Sequence, residues 1–117
     1  MKNIKEIEPK EVFKYFEEIS QIPRGSGNTA KIADYLVEFA VKHNLEHYRD
    51  EMNNVIIIKE AAEGLENAPA VIIQGHSDMV CEKTADCKKD MATDGLDLVV
   101  DGDYLYAEGT TLGGDDG

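Results

Sequence analysis

An α/β fold, with two helices followed by a mixed β-sheet, is what this chain of 117 residues predicts. Three observations carry that reading. Two stretches with apolar residues at helical spacing come first. Two uninterrupted β-branched runs, Asn54–Lys59 and Ala70–Gln74, follow them. A turn signal of the Asp-Gly kind, Asp101-Gly102-Asp103, then sits between two further apolar runs, as in a hairpin. The length fits one domain.

Glu8–Ile22 reads as the first helix. Pro9 suits a first helical position, and Val12, Phe16 and Ile19 fall on one face at spacings of four and three. Pro23 disfavours helix at Ile22, and Gly25 and Gly27 permit a turn. Asn28 then reads as the N-cap of a second helix running to His43, with Ile32, Leu36 and Phe39 as its apolar stripe. Asn44 ends it. His47–Asp50 is a weak strand, whereas Asn54–Lys59 and Ala70–Gln74 are strong ones. Their apolar runs do not alternate with polar residues, which predicts burial on both faces. Ala61–Pro69 is a loop, and Leu96–Val100 and Tyr104–Ala107 flank the hairpin turn.

Composition narrows the function. With 24 Asp+Glu against 12 Lys+Arg the net charge is −12. That argues against a nucleic-acid partner, whose phosphates select a basic face, and suits a cytoplasmic protein or one that binds cations. No segment approaches the ~18 apolar residues needed to span a bilayer, and no apolar stretch follows the charged N-terminus as in a signal peptide. Cys81 and Cys87 stand too far apart for a zinc knuckle and are too few for a disulfide framework, so both read as reduced thiols. His43 and His47 lack a His-Glu-x-x-His pattern and read as surface residues.

Chemistry concentrates in two segments. His76 and Asp78 follow the run Ala70–Gln74. Residues two apart in extended backbone point to the same side, and ligand sites of open α/β sheets gather at strand carboxyl ends. Imidazole is the commonest metal ligand, and a nearby carboxylate can fix its tautomer. The second segment is the acidic, glycine-rich turn Gly109–Gly117, with Asp115 and Asp116. A carboxylate can bridge two divalent cations; without a lysine, the turn does not suit phosphate. Asp94, Asp97, Asp101 and Asp103 offer an alternative cation site, although their spacing departs from the EF-hand template.

Three segments carry a resemblance along essentially the whole chain: Ile22–Asn28, Gln74–Lys83 and Gly109–Asp115. They resemble the aminoacyl-histidine dipeptidases, also called Xaa-His or cytosol non-specific dipeptidases, a branch of the M20 metallopeptidases. The resemblance implies that His76 binds one zinc and Asp115 bridges two. It gives Asp78 a catalytic role as the carboxylate that orients His76 and tunes the metal. Manganese and cobalt are alternative cations. It further implies a cytoplasmic enzyme that hydrolyses small dipeptides of the Xaa-His type, a homodimer when full-length, with no nucleic-acid or membrane partner. The branch usually carries Asn where this chain has Asp116. Residues 1–117 then correspond to the N-terminal portion of the catalytic domain. The glutamate base, the remaining ligands and the lid or dimerisation domain would lie beyond Gly117. By itself such a portion is expected to be inactive. The rival expectations are a stable non-catalytic fragment and an acidic cation-binding module.

Overall fold

The computed structural model describes residues 3–116. Met1, Lys2 and Gly117, the last residue of the acidic turn, lie outside the described residues. A short 3-10 turn, Ile4–Glu6, opens the chain. Asn3 caps it: its side chain accepts from Lys5 N at 3.0 Å, and its own N–H donates to Glu6 Oε2 at 3.3 Å, a reciprocal box that satisfies two otherwise free donors. Helix α1 spans Lys10–Ser20 and α2 spans Ala30–Lys42. Strands β1 (Glu46–Arg49) and β2 (Val55–Ile58) form one antiparallel hairpin. Strands β3 (Leu98–Asp101) and β4 (Tyr104–Ala107) form a second, and a 3-10 turn over Gly114–Asp116 follows.

The α/β class and both helices agree with the sequence, with details corrected. The strands make two separate antiparallel hairpins in place of one sheet. Pro9 sits just before the first helical residue. On α1 the core face is Phe13, Phe16 and Ile19, and Val12 is half exposed. A shift of one residue turns a helix by about 100°, enough to move Val12 off the stripe that its spacing suggested. Asn28 does not cap α2: Thr29 occupies that position without a side-chain bond, while Asn28 Nδ2 donates to Ala92 O at 3.1 Å. Asn44, in the left-handed region at φ 55°, ends α2 as expected, a conformation asparagine tolerates better than most residues.

The largest correction concerns Ala70–Gln74. It is not a strand, and Val71, Ile72 and Ile73 are 84%, 91% and 95% exposed. A strand exists only through a ladder with a neighbour, and none of the described residues pairs with this run. A groove of about 940 Å³ separates it from β2, lined by Val55–Lys59 on one side and Ala70–Gly75 on the other. Strand β2 is likewise not buried on both faces: Val55 and Ile57 are half-buried, Ile56 and Ile58 exposed. It alternates because one face meets α2 and the other meets nothing described.

The core lies at the other end, in two adjoining clusters. Ile4, Phe16 and Val100 form the first, and Met79, Leu96 and Ala107 the second. Leu98 and Leu112 pack against both. The turn of the β3–β4 hairpin is the two-residue Gly102–Asp103, with Gly102 at φ 59° as its first position requires. These clusters matter for function because Met79 and Leu112 belong to the two segments that carry the candidate ligands.

Candidate metal centre

Main-chain hydrogen bonds bring the two chemistry-bearing segments together. Met79 N donates to Arg24 O at 2.9 Å, tying the His76 segment to the loop after α1. Thr111 N donates to Glu82 O at 3.0 Å and Thr84 N to Gly109 O at 2.8 Å, tying it to the acidic turn. Burial of Met79 beneath this junction leaves the preceding residues at the surface. The sequence separation between His76 and Asp115 is thus closed by backbone pairing, with the side chains placed as a consequence.

His76 stands between carboxylates. Its Nε2 lies 2.6 Å from Asp115 Oδ2. Its Nδ1 lies 2.8 Å from the Asp78 carbonyl and 3.0 Å from Asp78 Oδ1. Asp78 is steadied in turn by Ser26, whose hydroxyl donates to Oδ2 at 2.6 Å. Asp116 approaches the same nitrogen as Asp78, with Oδ1 3.4 Å from His76 Nδ1. Its Oδ2 accepts from Arg24 Nε at 2.9 Å. The imidazole and the Asp115 carboxylate are open to solvent, with side chains 53% and 71% exposed, whereas that of Asp116 is only 3% exposed.

The electrostatics follow from these contacts. The hydrogen bond to Asp115, then those to Asp78, push the His76 imidazolium up to about 9. Asp78 is held below the usual carboxylate range, first by Ser26 and then by His76. Asp115 is lowered chiefly by its bond to His76. A ring nitrogen and a carboxylate oxygen 2.6 Å apart share a proton, and a divalent cation can replace that proton. His76, Asp115 and Asp116 each offer a ligand atom, all within 4.8 Å of one another.

The structure therefore brings His76, Asp78 and Asp115 together. The alternative acidic loop does not converge. Among the described residues Asp97 pairs with Lys89 at 3.1 Å, Asp94 Oδ2 accepts from Asp90 N, Asp101 ends β3 and Asp103 lies in the hairpin turn. The four are not grouped as cation ligands. His43 and His47 also stay apart from the centre; His43 stacks against Phe39, with ring centroids 4.3 Å apart. Cys81 and Cys87 are free thiols. Two supporting residues were not singled out from sequence, Arg24 and Ser26; Asp116 was noted as a carboxylate of the acidic turn, but not as the partner of Arg24. The signal for Arg24 and Ser26 was their place in the Ile22–Asn28 segment, which carries the resemblance but reads locally only as a helix break.

No family model matches the chain. It is 34% identical over 117 residues to the cytosol non-specific dipeptidase of Escherichia coli (strain K12), all of it aligning with 24% of that protein. The crystal structure of the aminoacylhistidine dipeptidase from Vibrio alginolyticus superposes on 98% of the chain with a TM-score of 0.94 and 35% identity, covering 24% of that protein. The chain spans about a quarter of the length of each relative. The resemblance seen in the three sequence segments thus extends to the backbone, and over its whole length this chain is similar to one portion of the cytosol non-specific and aminoacylhistidine dipeptidases.

Proposed function

We propose that this chain is part of the catalytic domain of an M20-type dipeptidase and supplies part of a two-metal centre. The observation that supports it best is the pairing of His76 Nε2 with Asp115 Oδ2 at 2.6 Å, while Nδ1 is engaged by Asp78. Asp78 holds the proton on Nδ1, which leaves Nε2 as the ligand atom. Asp115, exposed and with a second oxygen free to turn outward, suits a bridging carboxylate. The donor set of one imidazole and carboxylate oxygens fits zinc, with manganese or cobalt as substitutes. A bound cation supplies Lewis-acid polarisation of a peptide carbonyl and acidifies a water.

The chain's own residues hold, orient and charge-balance that centre; none of them stands as an evident general base. Asp78 and Asp115 are drawn to the ionised form by their contacts, which suits ligation and orientation better than proton uptake. His76 and Asp115, even with Asp116 added, are too few ligands for two cations, since catalytic zinc takes about three each. Hydrolysis is accordingly assigned to the complete protein and not to residues 1–117 alone. The reading includes an unblocked dipeptide substrate with histidine second, a cytoplasmic location and a homodimer. Among the described residues no helix is long and apolar enough to cross a membrane.

The test is hydrolysis of several Xaa-His dipeptides by the complete protein, followed by HPLC. Activity should disappear on chelation, return with zinc, manganese or cobalt, and be lost in His76→Ala. Chelator-resistant hydrolysis, or a fully active His76→Ala, would refute the reading. The same assay on residues 1–117 should show no turnover.

A further inference from the structure

We propose that Arg24 and Asp116 form a buried positioning pair that sets Asp115 against His76, an inference resting on the metal-site reading above. The Arg24 and Asp116 side chains are 1% and 3% exposed. Taking both ions out of water is costly unless the geometry compensates. An apolar pair of similar volume would commonly hold the fold equally well. What the ion pair adds here is direction.

Arg24 touches every segment that builds the centre. Its Nε donates to Asp116 Oδ2 at 2.9 Å, and its Nη1 donates to Ile19 O at 3.0 Å near the end of α1. Its carbonyl accepts from Met79 N at 2.9 Å, three residues beyond His76. Gly113 leaves room for Nη2: a Cβ there would sit 2.8 Å from that atom. The guanidinium thus ties the helix to the acidic turn, while the carbonyl of the same residue holds the ligand segment. Asp116 follows Asp115 directly, so fixing one side chain fixes the backbone that carries the next.

Asp116 has a further feature. Its Oδ1 is buried and makes no hydrogen bond among the described residues, and it faces His76 Nδ1 at 3.4 Å. The carboxylate is therefore held by one oxygen and aimed at the imidazole with the other. Such an arrangement is expected of a group that restrains a ligand's orientation, as residues behind metal ligands do. Lysine cannot replace Arg24, because an ammonium lacks the planar fork that donates in two fixed directions.

The experiment measures zinc affinity by chelator competition, and kcat and KM for a dipeptide, on the complete protein. The variants are Arg24→Lys, Asp116→Ala, Asp116→Asn, Arg24→Lys with Asp116→Ala, and His76→Ala. Arg24→Lys and Asp116→Ala should each weaken zinc binding about 10–100-fold and lower kcat, with KM nearly constant. Their combination should be no worse than either alone, as members of one contact are non-additive. Asp116→Asn keeps an oxygen for Arg24 Nε and should restore most of what Asp116→Ala loses. If Arg24→Lys fails to fold, the two Asp116 variants carry the test. Unchanged zinc affinity and kcat in Asp116→Ala would overturn the proposal, as would Asp116→Asn falling as far as Asp116→Ala. In either case a His76→Ala variant that has lost zinc leaves the metal-site reading standing; one that binds zinc normally removes that reading as well.

Discussion

Gly113→Ala probes the packing that holds the acidic turn. Gly113 has φ 69°, in the left-handed region. An alanine there costs roughly 1–2 kcal/mol from backbone sterics alone. The added Cβ would also lie 2.8 Å from Arg24 Nη2, 3.0 Å from Met79 Cβ and 3.2 Å from Met79 Sδ. Arg24 cannot swing aside freely, because Nε and Nη1 are both bonded. Met79 is 5% exposed and sits in a core cluster, so it too has little room. Forcing a methyl into a packed site adds about 1–3 kcal/mol. The combined expectation is a destabilisation of about 2–5 kcal/mol. It should read out in denaturant unfolding as a lower midpoint and in chelator competition as weaker zinc binding. A loss below about 0.5 kcal/mol, within the usual range for surface substitutions, with unchanged zinc affinity would refute the placement of Arg24 and Met79 around this glycine.

Two further outcomes are expected. Phe16→Ala removes a ring that is 7% exposed and packed with Ile4 and Val100, and should cost about 3–5 kcal/mol in chemical denaturation; a cost under about 0.5 kcal/mol would place Phe16 outside the core. In the metal-free protein His76 is raised from 6.5 to about 9, so its carboxylate contacts favour the folded state fully below pH 6.5 and cease to do so as pH rises through about 9. NMR titration of the ring should give a midpoint near 9 in the chelated wild type and a lower one in Asp115→Asn; a wild-type midpoint near 6.5 would contradict the contacts.

What the sequence made legible depended on how local the cause was. Helix α2 and the Gly102–Asp103 turn rest on spacing and turn chemistry within a few residues, and both were read closely. The contact of His76 with Asp78 follows from two residues on one side of extended backbone, and it too could be anticipated. Asp115 became a partner of His76 only through the resemblance, because the pairing of Thr111 with Glu82 that brings it there is non-local. Asp116 read only as a carboxylate of the acidic turn and a departure from the usual Asn; its burial depends on Arg24, 92 residues earlier. Ala70–Gln74 shows the opposite failure. Its composition is that of a strand, but a strand also needs a neighbour at about 4.8 Å, and no described residue provides one. Composition reports the preference of a segment, whereas pairing is a property of the whole assembly.

The central claim is that His76 Nε2 and Asp115 ligate the same cation. The most direct measurement is a crystal structure of the complete protein grown with zinc, with anomalous data collected on either side of the zinc absorption edge. The account predicts an anomalous peak about 2.0–2.2 Å from both His76 Nε2 and an Asp115 oxygen, with Asp78 still bonded to Nδ1. A zinc peak away from His76, or one contacting His76 with Asp115 turned aside, would contradict it.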